Sequence, residues 1–397
     1  MPDNHFIVWV DGKRVAGTCA AAEFPNMDIE GNDIIEPPYK EDDLSACCAA
    51  CNANDDCMAY SFNGGDGSCY LKRAAGKLTP NDGRISGLAV RAAAASFHTS
   101  GWPTGANNTV KIPLFAGLAA DTSHEVVIEK SSEPAWNVPM IREPNYVGFV
   151  GFEGDAGMSY GDPPKASARR IEFLGDSITA GFCNQGQDLP ETVFAESFES
   201  SWARRTCDSL QASCHTAAWS GFGMVEDYDG RGTTLASDMW KRTLATVNGD
   251  NDTHATRADN YWKFSSWVPD AVVINLGTND GLGRRTELIP TFNATYLKLV
   301  LAAGEAYGDK TSFFLACGPM TNNYCDQVHW VIAKAKAAGV QAFFLDFVGL
   351  PHNCCGHPCA ADDVVIGNFT AKTIAAQMGW DSVEIEQQVT DGLVETI

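Results

Sequence analysis

Arg170-Ile171-Glu172-Phe173-Leu174-Gly175-Asp176-Ser177-Ile178-Thr179-Ala180-Gly181 is the stretch that decides the fold. An apolar run stops abruptly at Gly-Asp-Ser, and small residues and a second glycine follow. The pattern predicts a buried strand, a tight turn carrying Ser177, and then the start of a helix or loop. Such a turn lifts a hydroxyl out of a sheet and aims backbone N–H groups at the same point, the two needs of an acyl-transfer nucleophile. A strand end at which Asp176 or Ser177 only caps a helix has the same local pattern. The company the turn keeps separates the two.

Downstream, apolar strands alternate with amphipathic helices. The expected strands are Arg170–Leu174, His215–Trp219, Ala271–Leu276, Phe313–Cys317 and Ala342–Asp346. The expected helices lie near Phe194–Leu210, Pro290–Tyr307, Asp326–Ala338 and Phe369–Met378. This alternation predicts an α/β domain with a mostly parallel sheet covered on both faces. Ligands then sit beyond the C-terminal strand ends. That rule selects four places: the turn at Ser177, Ser220-Gly221-Phe222-Gly223, Gly277-Thr278-Asn279-Asp280, and the segment after Asp346. Ser177 is the expected nucleophile. Its own N–H, the N–H of Gly221 and the side-chain amide of Asn279 make three oxyanion donors. Asp280 is expected to stabilise a turn. The general base is expected to be His357, in Gly356-His357-Pro358, with His352 as the competitor.

These four blocks, in this order, resemble those of the SGNH/GDSL hydrolases over roughly residues 168–380. The resemblance narrows to carbohydrate esterase family two through Arg169–Gly181, Trp219-Ser220-Gly221-Phe222-Gly223, Pro269–Asp280, and His124–Lys130 upstream. It implies an SGNH-type three-layer, doubly wound sheet. It also implies removal of O-acetyl groups from polysaccharides such as xylan and glucomannan, with no metal or organic cofactor. One departure stands out. Cys354 and Cys355 occupy the positions, three and two before the histidine, where the family patterns place an aspartate. Some family-two enzymes use a Ser–His dyad in which a backbone carbonyl orients the imidazole, and that arrangement is expected here. Asp346 and Asp362 are the alternative orienting acids. A decayed, non-catalytic site is the darker alternative.

Upstream of residue 166 the texture is different. Phe6–Val10 closed by Asp11-Gly12 reads as a hairpin strand. Val110–Phe115, His124–Glu129 and Val147–Phe152 read as further short strands, the pattern of a small, jelly-roll-like β-sandwich. Asp162-Pro163-Pro164-Lys165 reads as a stiff linker. Between the first strand and the others stand Cys19, Cys47, Cys48, Cys51, Cys57 and Cys69. Residues 43–51 read as a helix, and Cys57–Phe62 and Cys69–Lys72 as strands. Cys47-x3-Cys51-x5-Cys57-Met58-Ala59-Tyr60, then Cys69-Tyr70-Leu71-Lys72 and Ser86-Gly87, resemble a PAN/Apple module. The resemblance implies Cys47–Cys69 and Cys51–Cys57 bridges, leaves Cys19–Cys48 as a third, and implies a protein or glycan ligand. The expected domains are 1–16 (first sandwich strand), 17–92 (PAN/Apple-like insert), 93–165 (rest of the sandwich and linker) and 166–397 (hydrolase).

The 14 cysteines favour disulfides and an oxidising, secreted or lumenal setting. Cys207–Cys214 and Cys317–Cys325 are expected pairs, and Cys183 is expected near the Cys354–Cys359 group. His352-x-Cys354-Cys355-x-His357-x-Cys359 has zinc-type ligands without an established zinc spacing, so bridges are preferred and no metal is expected. The sites at Asn107, Asn251, Asn293 and Asn368 permit glycosylation. The start, Met1-Pro2-Asp3-Asn4-His5, is not a signal peptide. No apolar run reaches about 18 residues, so no membrane span is expected. A net charge of −22 argues against nucleic acid as a partner. Trp219, Trp240, Trp262 and Trp267 are candidates for a sugar-stacking wall shared with the core. Three functions follow as expectations. The first is a secreted esterase of acetylated carbohydrate. The second is a lipid or small-ester hydrolase on the same site. The third is a glycan- or protein-binding chain with a decayed hydrolase domain.

Overall fold

The computed structural model describes residues 5–11, 13–14, 23–31, 33–34, 37–52, 57, 59–73, 78–88, 96–98, 122–133, 149–154, 157–162, 165, 167–186, 195–228, 230, 239–243, 261–281 and 285–384. The N-terminal part holds two antiparallel sheets. Strands β1 (His5–Val10), β2 (Lys13–Arg14), β8 (Ser96–His98) and β9 (Val126–Lys130) form one of them. Val10 pairs with Lys13, and Asp11 adopts a left-handed φ of 51° between them. β9 pairs with β1 along Phe6–Val10. β8 pairs with His5–Ile7, and β2 with Trp9 and Val10. A strand has two edges, so β2 and β8 lie end to end on the edge opposite β9. The expected strand Val110–Phe115 lies outside the described residues, as do Pro163 and Pro164 of the linker. Over its described part, 149–152, the expected strand Val147–Phe152 has no regular pairing.

The second sheet, in the order β3 (Glu23–Ile29), β7 (Leu78–Leu88), β5 (Ala59–Asn63), β6 (Ser68–Lys72), β4 (Tyr39–Lys40), lies between β2 and β8 in the chain. Helix α1 (Leu44–Asn52) is stapled to it by Cys47–Cys69, and Cys51–Cys57 closes the loop that follows. Cys48 is also disulfide-bonded, while Cys19, its expected partner, lies outside the described residues. The cysteines pack with Tyr60, Phe62 and Leu71 into a core of their own. So small a core gains its stability from such staples.

The C-terminal part is a five-stranded parallel sheet in the order β11 (Ser213–Ala218), β10 (Arg170–Gly175), β12 (Ala271–Asn275), β13 (Ser312–Cys317), β14 (Ala342–Asp346). Side chains alternate between its faces. Ile171, Phe173, Val273, Phe314 and Leu345 pack under α3 (Trp202–Leu210) and α6 (Ala360–Met378). Leu174, Val272, Ile274, Phe313 and Leu315 pack under α4 (Ile289–Tyr307) and α5 (Cys325–Ala337). Strand order reverses at β10, and Gly175, Ala218 and Asn275 stand level in register. The turns after these three strands therefore open at one point, the switch point at which such sheets bind ligands.

Candidate active site

Ser177 opens α2 (Ser177–Ala180), a single helical turn directly after β10. Asp176 caps that turn: its Oδ1 accepts the Ile178 N–H at 3.0 Å, and its carbonyl accepts the N–H groups of Thr179 and Ala180 at 3.0 Å each. The remaining first-turn donor is the N–H of Ser177 itself. Capping and presentation of a hydroxyl are thus properties of the same turn.

His357 Nε2 lies 2.8 Å from Ser177 Oγ, and His357 Nδ1 lies 3.2 Å from the Cys355 carbonyl. The backbone locally dictates this. Cys354 and His357 exchange N–H···O bonds of 2.8 and 2.7 Å around Cys355 (φ 51°) and Gly356 (φ 76°). Two left-handed residues between a hydrogen-bonded pair make a tight hairpin turn. A cysteine held left-handed stores strain of about 1–3 kcal/mol, which surrounding bonds must balance. Two disulfides do so: Cys354–Cys359 closes the turn, and Cys183–Cys355 ties it to the loop after Ser177. The Phe182 ring packs 5.0 Å from the imidazole, and the Phe182 N–H donates to the Ser177 carbonyl. His352 is exposed, with Nδ1 against the Leu350 carbonyl.

The two alternative orienting acids are committed elsewhere. Asp346 Oδ1 accepts the Val348 N–H at the end of β14. Asp362 caps α6, accepting from the N–H of Cys359 and from the N–H and side-chain amide of Asn353. Neither carboxylate occupies the Nδ1 side of His357, where the Cys355 carbonyl stands.

Gly221 follows β11 with φ 80°, a conformation that suits glycine. Asn279 follows β12. Its Nδ2 donates to Asp176 Oδ2 at 3.1 Å and to the Phe222 carbonyl at 3.0 Å, so both amide hydrogens are engaged in the resting site. Donation to an oxyanion requires one of these bonds to be shared or released. Asp176 is fully buried, and burial pushes its carboxyl up to about 7, with the charges of Asp280 and Glu133 adding to the rise. Asp280 accepts the N–H groups of Met224, Val225 and Glu226 at 2.9, 2.6 and 3.1 Å. It therefore clamps the loop after β11 to the loop after β12, and burial raises its carboxyl.

Trp219 and Trp240 are core residues, while Trp262 and Trp267 are half-buried against His215. Further disulfides join Cys207 to Cys214 and Cys317 to Cys325. Among the described residues no His/Cys/Asp/Glu group is arranged to hold a metal ion. Asn107 and Asn251 lie outside the described residues. Asn293 is on α4 with its Oδ1 buried, and Asn368 is on α6.

Residues 171–351 match the family model of the GDSL-like lipase/acylhydrolases, and residues 27–72 match that of the PAN domain. The chain thus carries a GDSL-type hydrolase domain and a PAN domain. It is 31% identical over 289 residues to the cellulase/esterase CelE of Acetivibrio thermocellus, covering 68% of this chain and 32% of that protein. It is 28% identical over 248 residues to an acetylxylan esterase/glucomannan deacetylase of Cellvibrio japonicus, covering 58% of this chain and 65% of that protein. The chain therefore spans about a third of the length of the first relative and about two-thirds of the second. Among solved structures, a family-two carbohydrate esterase from Clostridium thermocellum in complex with cellohexaose superposes with a TM-score of 0.52 at 20% identity, covering 96% of this chain and 90% of that one. An acetyl xylan esterase from Butyrivibrio proteoclasticus gives 0.55 at 14% identity, over 96% and 89%. At these identities the likeness establishes the fold: the chain has the architecture of the family-two esterases.

Proposed function

We propose that this chain is a secreted serine esterase that removes O-acetyl groups from carbohydrate. The observation that carries the reading is the 2.8 Å approach of His357 Nε2 to Ser177 Oγ, with a carbonyl on the opposite ring nitrogen. That carbonyl accepts only from a protonated Nδ1, which leaves the lone pair on Nε2 facing the hydroxyl. His357 takes the Ser177 proton as Oγ attacks the acetyl carbonyl carbon. The oxyanion faces the N–H groups of Ser177 and Gly221 and one Nδ2–H of Asn279, shared with its resting acceptor. His357 then gives its proton to the departing sugar hydroxyl. Water, deprotonated by the same imidazole, attacks the acyl-enzyme, releases acetate and restores Ser177. The Ser177 proton thus leaves on the sugar hydroxyl, the proton taken from water passes through His357 to Ser177 Oγ, and the Cys355 carbonyl stands where a triad would place its carboxylate.

Carbohydrate as the substrate class is supported by the two relatives, whose names are those of polysaccharide-acting esterases, and by the fold shared with a family-two esterase solved in complex with cellohexaose. The many disulfides support an oxidising location. Among the described residues no helix is long and apolar enough to cross a membrane. The PAN domain is read as a site for a glycan or protein. The test is acetate release from acetylated xylan and glucomannan by the wild type and by Ser177→Ala. Release that vanishes in the variant supports the proposal. Hydrolysis confined to long-chain esters would move the substrate to lipid. Inertness towards every acetyl ester by the folded, oxidised protein would leave the chain a binding protein.

A further inference from the structure

The N-terminal sheet reaches into the catalytic part through the residues that follow β9. Glu129 pairs with Arg204 on α3 at 2.6 Å. The Ser131 carbonyl accepts the Phe198 N–H at 2.8 Å, and Ser131 Oγ lies 3.1 Å from Ser197 Oγ. Ser197 in turn donates its N–H to Asn184 Oδ1 and to the Gly181 carbonyl, where the Ser177 turn ends. Glu133 then enters the interior, only 6% exposed. Its N–H donates to Glu196 Oε1, its carbonyl accepts from Lys130 Nζ at 2.7 Å, and its Oε2 accepts the N–H of Ser220. Ser220 is 5% exposed and directly precedes Gly221. Residues 129–133 are thus wedged between the nucleophile side and the oxyanion side of the site.

We propose that Glu133 is a positioning residue of the hydrolase, supplied by the N-terminal sheet, whose carboxylate fixes the Trp219–Ser220 peptide and thereby aims the next N–H, that of Gly221, at the oxyanion. The inference deepens the esterase reading and rests on it for its consequence in catalysis. It also gives the N-terminal sheet a part in the reaction. The carboxylate is the only acceptor that the hydrogen-bond pattern gives to Ser220 N–H among the described residues. Without that acceptor, a buried peptide must turn to find another, and the Gly221 N–H turns with it.

The experiment compares Glu133→Gln, which keeps a side-chain carbonyl for Ser220, with Glu133→Leu, which keeps the bulk and removes the acceptor. Each is assayed for kcat and KM on 4-nitrophenyl acetate and for amide hydrogen exchange over residues 219–224. A loss of about 10- to 100-fold in kcat with KM unchanged is expected for Glu133→Leu. Exchange over 219–224 is expected to quicken in the same variant, and Glu133→Gln is expected to recover most of both effects. Equal damage from the two substitutions, or wild-type kcat and exchange in Glu133→Leu, would overturn the proposal. The exchange arm reads the peptide without turnover. A wild type inert towards acetyl esters would therefore refute the esterase reading while the exchange comparison still decided whether Glu133 holds the loop.

Discussion

The disulfide between Cys183 and Cys355 offers the sharpest test of how His357 is held. The perturbation is the double substitution Cys183→Ala/Cys355→Ala, which leaves Cys354–Cys359 in place. Two effects follow from different parts of the structure. The crosslink spans 172 residues, and the chain-entropy treatment of a loop that long gives an upper bound of about 5 kcal/mol of stabilisation. The parallel sheet already restrains most of that loop, so the realised loss is expected to be smaller, a fall of several degrees in Tm. The second effect is local. Without the bridge, the backbone at position 355 is free to relax from φ 51°, and the carbonyl at 3.2 Å from Nδ1 moves with it. A hydrogen bond to a group that becomes charged in the transition state contributes about 1.5–3 kcal/mol. At 1.36 kcal/mol per tenfold in rate this corresponds to a fall of about 10- to 150-fold in kcat. The assay is steady-state hydrolysis of 4-nitrophenyl acetate below the variant's Tm, with KM expected to hold. A folded double variant with kcat within twofold of wild type would refute the reasoning, because the turn would then hold its carbonyl unaided.

Other perturbations test the remaining parts. His357→Ala is expected to abolish acetate release, whereas His352→Ala, at an exposed side chain, is expected to stay within about twofold of wild type. Asn279→Ala is expected to lower kcat by about 100- to 1,000-fold, as removal of an oxyanion donor does; a loss carried by KM alone would place the amide outside that role. The pH dependence of stability has a defined sign. Burial pushes the Glu172 carboxyl up to about 7 from 4.5, against the opposing hydrogen bond from Tyr307, so the folded chain keeps a proton that the unfolded chain has released. Stability is then lost as pH climbs through that window, and Glu172→Gln is expected to flatten the fall of Tm between pH 5 and about 7. An unchanged slope in that variant would show that Glu172 does not contribute to it.

Much of the catalytic part was legible because its signals are local. The run Arg170–Leu174 reads as a buried strand, and the Gly-Asp-Ser that follows reads as a turn, without reference to anything distant. The C-terminal helix was less legible. Its last turns read clearly, but it begins nine residues before the expected Phe369, at Ala360. Gly367 lies inside it, and a glycine there costs about 1 kcal/mol in propensity relative to alanine. Packing explains its presence: a Cβ at Gly367 would stand 2.6 Å from Arg205 Cβ, so α3 and α6 approach closely only with glycine. Asp362 reads in sequence as a possible orienting acid, because nothing local distinguishes that role from capping. Its use as a helix cap beginning from a cysteine is an unusual signature. Glu133 gave no local signal. Its partner, Ser220, is 87 residues away, and only the assembled fold brings the two together.

The end-to-end arrangement of β2 and β8 along β1 has a consequence for how this architecture is assembled. Arg14 pairs with Trp9 and Ser96 with Ile7, so the chain departs from one edge of β1 and returns to the same edge two residues further along. At about 3.4 Å per residue the points of departure and return are about 7 Å apart. The 81 residues between Arg14 and Ser96 therefore interrupt what would otherwise be one continuous strand, facing a gap of a single residue, Val8. A module joined through so narrow a doorway can be gained, lost or exchanged as a cassette without re-registering the host sheet. Changes in that segment then leave the pairing of β1 with β9, and with it the path from β9 to the Ser177 site, in register.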